Sequence, residues 1–214
     1  MGFANIFMVK YEKSMQNKEI KIFKFNEVVP PDIIKPKQVH GVKIVEIIKG
    51  NEDLQGVDGI WTKNSKFKIA IGTADCAPVC FLSDNKIGIV HVGWRGLVGG
   101  ICEKMLEIFQ DENVKIFVGP LYPRFEIQKD GCFDEIKNKF GEQFFDFVDE
   151  KIYFNFTDAI SSVLPNAEFD PRFTFEDTSF SSWRRDMVRK GNNLTVIIYF
   201  CWQNSPNKLI YYMP

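Results

Sequence analysis

The residues able to do chemistry in this 214-residue chain gather in Thr73–Gly96, TADCAPVCFLSDNKIGIVHVGWRG. Asp75, Cys76, His91 and Arg95 flank two apolar runs, Ala77–Leu82 and Ile87–Val90, that read as buried strands. Chemistry at the ends of strands is held on rigid elements, where a site can be positioned accurately. The chain has two histidines, and the second, His40, lies in KQVHG beside another short apolar pattern. Two imidazoles and a thiolate suit zinc, and three protein ligands with a fourth position open is the pattern of a catalytic rather than a structural site. The spacing of His40, Cys76 and His91 is far too long for a zinc finger, so the fold must assemble such a site. The same residues are also accounted for by hydrogen-bonded strand-end histidines and a buried cysteine.

Other groups carry two readings each. Asp75 directly precedes Cys76 and suits either a carboxylate that orients a ligand histidine or serves as general base, or a turn cap. Asp58 in VDG reads as turn chemistry. Cys80 could serve as a fourth ligand, but its place inside an apolar run favours core packing, and packing is expected for Cys102, Cys132 and Cys201. Trp94-Arg95 and Trp183-Arg184-Arg185 pair indoles, which suit a flat ring, with guanidinium forks, which suit phosphate or carboxylate. Adjacent Arg184 and Arg185 do not readily face one partner, so one of them at most is expected to serve a site with Arg95.

The elements that must position these groups follow from periodicity. Short aromatic and β-branched runs at 3–11 and 20–25 read as paired strands, and prolines at 30, 31 and 36 keep the chain extended into His40. Strands are expected over 42–48, 57–62, 68–72, 114–118, 125–128, 194–202 and 208–213. After Arg95 the period becomes helical, with Leu97, Ile101, Met105, Ile108 and Phe109 on one face. Gly99-Gly100 costs the first turn of that helix about 1 kcal/mol per glycine, which points to close approach of a neighbouring strand or a ligand. Further helices are expected over 132–140 and 157–164, and a turn with a short helix over 179–190. Strands dominate and the helices fall between strand groups, so the fold class is α/β (α+β), a layered arrangement of mixed β-sheets flanked by helices. Without repeats or linkers, residues 1–214 read as one domain.

Composition narrows the function. A formal net charge of −1 supplies no basic field for nucleic acid, and no apolar run approaches the roughly 18 residues of a membrane span. The first residues fit neither a signal peptide nor a myristoylation pattern, and five cysteines argue for reduced thiols, so a cytoplasmic setting is expected. No Gly-x-Gly-x-x-Gly or Walker loop is present.

KQVHG, VDGIWT, IGTADCAPV, VHVGWRG, VGP with FEI, and SSWRRD occur in the order and setting of one family. The chain resembles the YfiH-like family, variously called peptidoglycan editing factor, laccase-domain polyphenol oxidase and purine nucleoside phosphorylase. The resemblance implies an α/β domain with mixed sheets and makes His40, Cys76 and His91 the metal ligands. It implies phosphorolysis of adenosine, inosine or methylthioadenosine, and deamination of adenosine, with zinc as cofactor and purine nucleoside and phosphate as partners. Copper would replace zinc if the laccase name describes the chemistry. The cell-wall name would instead imply a peptidoglycan-precursor hydrolase with Cys76 as nucleophile, and a metal-stabilised binding protein would need no turnover at all. Two departures stand out: residues 1–30 lack the Gly-rich opening of the family, and Asp177-Thr178 stands where a cysteine-threonine pair is usual.

Overall fold

The structure, a computed structural model, describes residues 18–110, 112–187 and 191–199, the side chains of 198 and 199 excepted. The chain runs through β1 (Lys18–Phe23), β2 (Ile33–Ile34), β3 (Ile44–Glu46), β4 (Gly59–Thr62), β5 (Lys68–Thr73), β6 (Ala77–Leu82) and β7 (Ile87–Val92). Two short helices follow, α1 (Trp94–Val98) and α2 (Ile101–Ile108), then β8 (Lys115–Val118), β9 (Arg124–Ile127) and α3 (Gly131–Phe140). A hairpin of β10 (Phe145–Val148) and β11 (Lys151–Asn155) leads to α4 (Phe156–Val163), β12 (Glu168–Phe169), α5 (Trp183–Asp186) and β13 (Asn193–Tyr199).

Three mixed or antiparallel sheets result, as the α+β reading expects. The largest has strand order β12-β8-β6-β7-β4-β3, a second has β1-β13-β5-β2, and a third has β10-β11-β9. Strands β6 and β7 form the central hairpin of the first, with every residue buried. Side chains alternate across β6, so Val79 and Phe81 join the core beneath α2 while Cys80 and Leu82 join the core shared with β5 and β13. Burial on both faces explains why these strands read as continuous apolar runs rather than alternating ones.

The helix expected after Arg95 is two helices. Gly100 adopts φ 82°, a left-handed conformation that glycine tolerates, and this breaks the helical run between α1 and α2. A Cβ on Gly99 would lie 2.7 Å from Val42 Cγ1, so the glycine pair marks the close approach of the chain entering β3. Leu97, Ile101, Met105 and Phe109 still bury one common face despite the break. The strand expected over 42–48 is shorter, Ile44–Glu46, because His40–Lys43 turns to serve the site instead. Strand β1 pairs antiparallel with β13, while the strand expected at 3–11 and that at 208–213 lie outside the described residues, as do Cys201 and the end of the strand expected to reach 202. No helix among the described residues is long and apolar enough to cross a membrane.

Candidate metal centre

Strand register alone brings Cys76 and His91 together. In the β6–β7 hairpin Ala77 pairs with Val92 and Pro78 with His91, which puts Cys76, one residue before β6, beside the end of β7. Strand β4 flanks β7 on its other side, with Gly59 opposite Val90, so Asp58 falls next to His91. The His91 N–H donates to the Asp58 carbonyl at 2.7 Å. His40 arrives on the turn before β3, which runs parallel to β4.

Asp58 is the organiser of this corner. It is fully buried, and its carboxylate accepts from the backbone N–H groups of Val39 (3.2 Å), His40 (2.9 Å) and Gly41 (2.8 Å). Its Oδ1 also lies 2.8 Å from His91 Nδ1. One carboxylate therefore fixes the backbone that carries one histidine and the ring orientation of the other. These bonds hold His40 at φ 64°, a left-handed conformation uncommon for a residue with a Cβ. The turn reading of Asp58 is thus corrected: its partners are 17 to 19 and 33 residues away. Only the proximity of VDG to the KQVHG turn in the fold reveals them.

The donor atoms of His40, Cys76 and His91 lie within 4.8 Å of one another. His40 is exposed, Cys76 half-buried and His91 3% exposed, so the cluster is built into the wall of the protein and opens on one side. Asp58 occupies His91 Nδ1 and leaves Nε2 for a ligand, the arrangement common to metal-binding histidines. A Cβ on Gly93 would lie 3.0 Å from His40 Cδ2 and 3.1 Å from Cys76 Sγ, so glycine keeps the floor of the cluster open. In the metal-free cluster, burial opposes charge on Cys76, but hydrogen bonds and charge from His40 and His91 overcome it and lower the thiol to about 6. Burial likewise opposes charge on His91, and the Asp58 carboxylate and Cys76 thiolate raise it to about 9. A ready thiolate and two imidazoles fit a zinc or a copper ion alike. Cys80 and Cys102 are fully buried, with thiols raised far above their usual range by desolvation, and Cys80 packs in the core as expected.

The cluster lies in the lining of a cleft of about 610 Å³, within the usual size of a small-molecule site. Lys35, Lys37, Thr73, Ser181 and Trp183 line its remainder. The two lysines and the two hydroxyl residues carry no motif of their own in the sequence and become candidates only through their shared place in the cleft.

Asp75 lies beside the cluster but serves another connection. Its Oδ1 accepts from Thr174 Oγ1 at 2.9 Å and its Oδ2 from the Arg184 backbone N–H at 2.8 Å. It thereby ties the SSWRRD segment to the strand end that carries Cys76, while Asp58 holds the histidine. Arg185 is spent on the protein itself, donating to the carbonyls of Thr174 and Phe180 and pairing with Asp186 at 2.9 Å. Arg95 and Arg184 are exposed, their guanidinium carbons 4.4 Å from the Trp94 ring centroid and 3.9 Å from that of Phe125. None of the three arginines is among the described residues lining the cleft.

Two imidazoles and a thiolate in the lining of one cleft, on an α+β frame, form a three-donor cluster compatible with a metal ion. The chain belongs to the multi-copper polyphenol oxidoreductase laccase family, whose model matches residues 12–199. A purine nucleoside phosphorylase of Staphylococcus epidermidis is 39% identical over 121 residues, 50% of this chain and 44% of that relative. The match to this relative thus spans less than half its length. A purine nucleoside phosphorylase of Aquifex aeolicus is 29% identical over 200 residues, 88% of this chain and 93% of that relative. The crystal structure of a Neisseria meningitidis protein superposes with a TM-score of 0.80 at 19% identity, covering 92% of this chain and all of that one, a likeness of fold.

Proposed function

We propose that residues 1–214 form a single catalytic domain, a zinc-dependent cytoplasmic enzyme that phosphorolyses purine nucleosides and deaminates adenosine. The observation that carries this reading is the His40, Cys76, His91 cluster opening into a cleft of nucleoside size. The names of the Staphylococcus and Aquifex relatives support the substrate class. Both histidines of the chain are in the cluster, so no imidazole remains for the further copper ions that four-electron reduction of oxygen requires. Bound by these three side chains, zinc would supply a Lewis acid and an acidified water at neutral pH.

The chain's own part is positioning. Asp58 holds the His91 tautomer through Nδ1 and fixes the His40 turn, so the donors are arranged before anything binds. Phosphorolysis forms a bond from a phosphate oxygen to C1′ of the ribose as the C1′–N9 bond breaks, and the electron pair leaves with the base, which takes up a proton. The cleft must therefore hold phosphate against the sugar and exclude competing water. Asp75 keeps the segment bearing Trp183 docked at the cleft. Arg95 and Arg184, exposed and free of ion pairs with described residues, draw anions toward that face by their charge.

A second reading has one observation in its favour: Cys76, His91 and Asp58 also stand in the order of a thiolate, a base and a carboxylate that orients it, as a hydrolase acting on peptidoglycan precursors would need. Metal removal separates the two. Complete chelation should abolish turnover of adenosine with phosphate, and zinc should restore it. Turnover that survives chelation would contradict the zinc reading; oxidation of phenols restored by copper alone would support the oxidase implied by the family's name.

A further inference from the structure

Besides the histidines and Cys76, the same cleft is lined by residues with a chemistry of their own. Lys35 and Lys37 flank the buried Pro36 and both line the cleft, as alternate residues of an extended segment can. That segment is anchored, with the Lys37 N–H donating to Leu54 O at 3.0 Å and the Lys37 carbonyl accepting from Gly56 N–H at 3.0 Å. Gln38 fastens it to β5, its amide bonded to both Gly72 O (2.8 Å) and Gly72 N (3.1 Å). Neither lysine makes an ion pair with a described residue, and no carboxylate is among the described residues lining the cleft. Two like charges on a pinned segment, in a cleft whose described lining holds no carboxylate, call for an anionic ligand.

Two hydroxyls point the same way. Thr73 is 3% exposed and Ser181 1% exposed, both line the cleft, and neither hydroxyl bonds to a described residue. Neither hydroxyl oxygen is among the sealed, unpaired polar atoms of the described residues, so each reaches the cleft and can donate to a ligand there. Their backbones are fixed: Thr73 is paired with Asn193 across β5 and β13, and Ser181 exchanges two bonds at 2.9 Å with the Asn193 side chain. Trp183, 51% exposed, stands two residues beyond Ser181 on the same cleft. An indole this exposed at the wall of the cleft offers a face on which a flat ring stacks.

We propose that Lys35 and Lys37, with the hydroxyls of Thr73 and Ser181, form a phosphate subsite in this cleft, and that Trp183 is the face against which the ligand's base stacks. This rests on the nucleoside reading for the base, but the phosphate subsite stands on its own residues. The phosphate has two sources, the free ion as co-substrate or the phosphate group of a nucleotide. Either way its charge is met by lysines that the Trp-Arg motifs do not include.

Calorimetric titration of the zinc-loaded protein with inorganic phosphate, adenosine and AMP tests it. Lys35→Ala with Lys37→Ala should weaken phosphate about tenfold or more while changing adenosine affinity less than about twofold. Lys35→Arg with Lys37→Arg should retain phosphate binding, which separates loss of charge from loss of fold. Trp183→Ala should weaken adenosine several-fold and leave phosphate unchanged. Phosphate binding in the presence of saturating adenosine would identify the co-substrate; AMP binding that excludes phosphate and falls in the lysine variant would identify a nucleotide, and both carry the proposal. Unchanged phosphate and AMP affinities in the double alanine variant, or no binding of either by the wild type at millimolar concentrations, would overturn it. If adenosine yields no product yet the lysine variant loses phosphate, the nucleoside reading fails and the subsite stands.

Discussion

Asp58 links both histidines, so its replacement separates positioning from ligation. Asp58→Ala removes the acceptor for three backbone N–H groups and leaves His91 Nδ1 without its carboxylate. Loss of about 3 kcal/mol of stability is expected in denaturant titration, since a buried charged acceptor is lost while its donors remain. Chelator competition should show zinc bound about 10–100-fold more weakly, the usual cost of removing a carboxylate behind a ligand histidine. Unchanged zinc affinity would place the metal elsewhere. Cys76 gives a second residue-scale test. In the zinc-loaded protein its thiolate is engaged and should resist alkylation; after chelation it should react readily, with a rate that rises as pH climbs through about 6 and levels above it. The sign follows from the thiolate being the reactive form, favoured above the thiol pKa. Rapid stoichiometric alkylation with zinc bound would favour the nucleophile reading.

At the scale of elements, the arginines divide by what surrounds them. Arg185 is half-buried and bonded to three carbonyls and Asp186, so Arg185→Ala should cost about 2–3 kcal/mol in thermal or chemical unfolding. Arg95 is exposed and stacked on Trp94, and Arg95→Ala should cost under about 1 kcal/mol in the same measurement. Equal losses in the two variants would contradict the division. Much of this architecture was legible beforehand. Apolar runs at β6 and β7, a helical period after Arg95 and a chemistry-bearing residue at each strand end sufficed to place Cys76 and His91. The glycine pair at 99 and 100 announced a close approach, and Val42 is what approaches. Strands β10 and β11 went unread because their small sheet leaves Phe147 and Val148 exposed, which blurs the alternation that marks a half-buried strand. Asp58 misled for a different reason: an aspartate before glycine has a sufficient local explanation, and its actual partners are made by sheet register. Lys35 and Lys37 look like ordinary surface charge until the fold places both in the lining of the cleft.

Across the whole molecule, three sheets frame a cleft whose lining holds the His40, Cys76, His91 cluster together with two lysines and two hydroxyl side chains. On the proposed reading, a zinc centre would serve hydrolytic attack on a purine ring and a phosphate subsite would serve cleavage at the sugar, so deamination and phosphorolysis would share one cleft. The family's oxidase name implies a different reaction, and the difference shows in the products. Chromatography of reactions of the zinc-loaded protein with adenosine, inosine and methylthioadenosine, run with and without phosphate, is the most direct measurement. The account predicts free purine base and ribose 1-phosphate, or its methylthio analogue, only when phosphate is present, and inosine from adenosine with or without it. Intact nucleosides under every condition, with zinc bound at about one ion per chain, would contradict it.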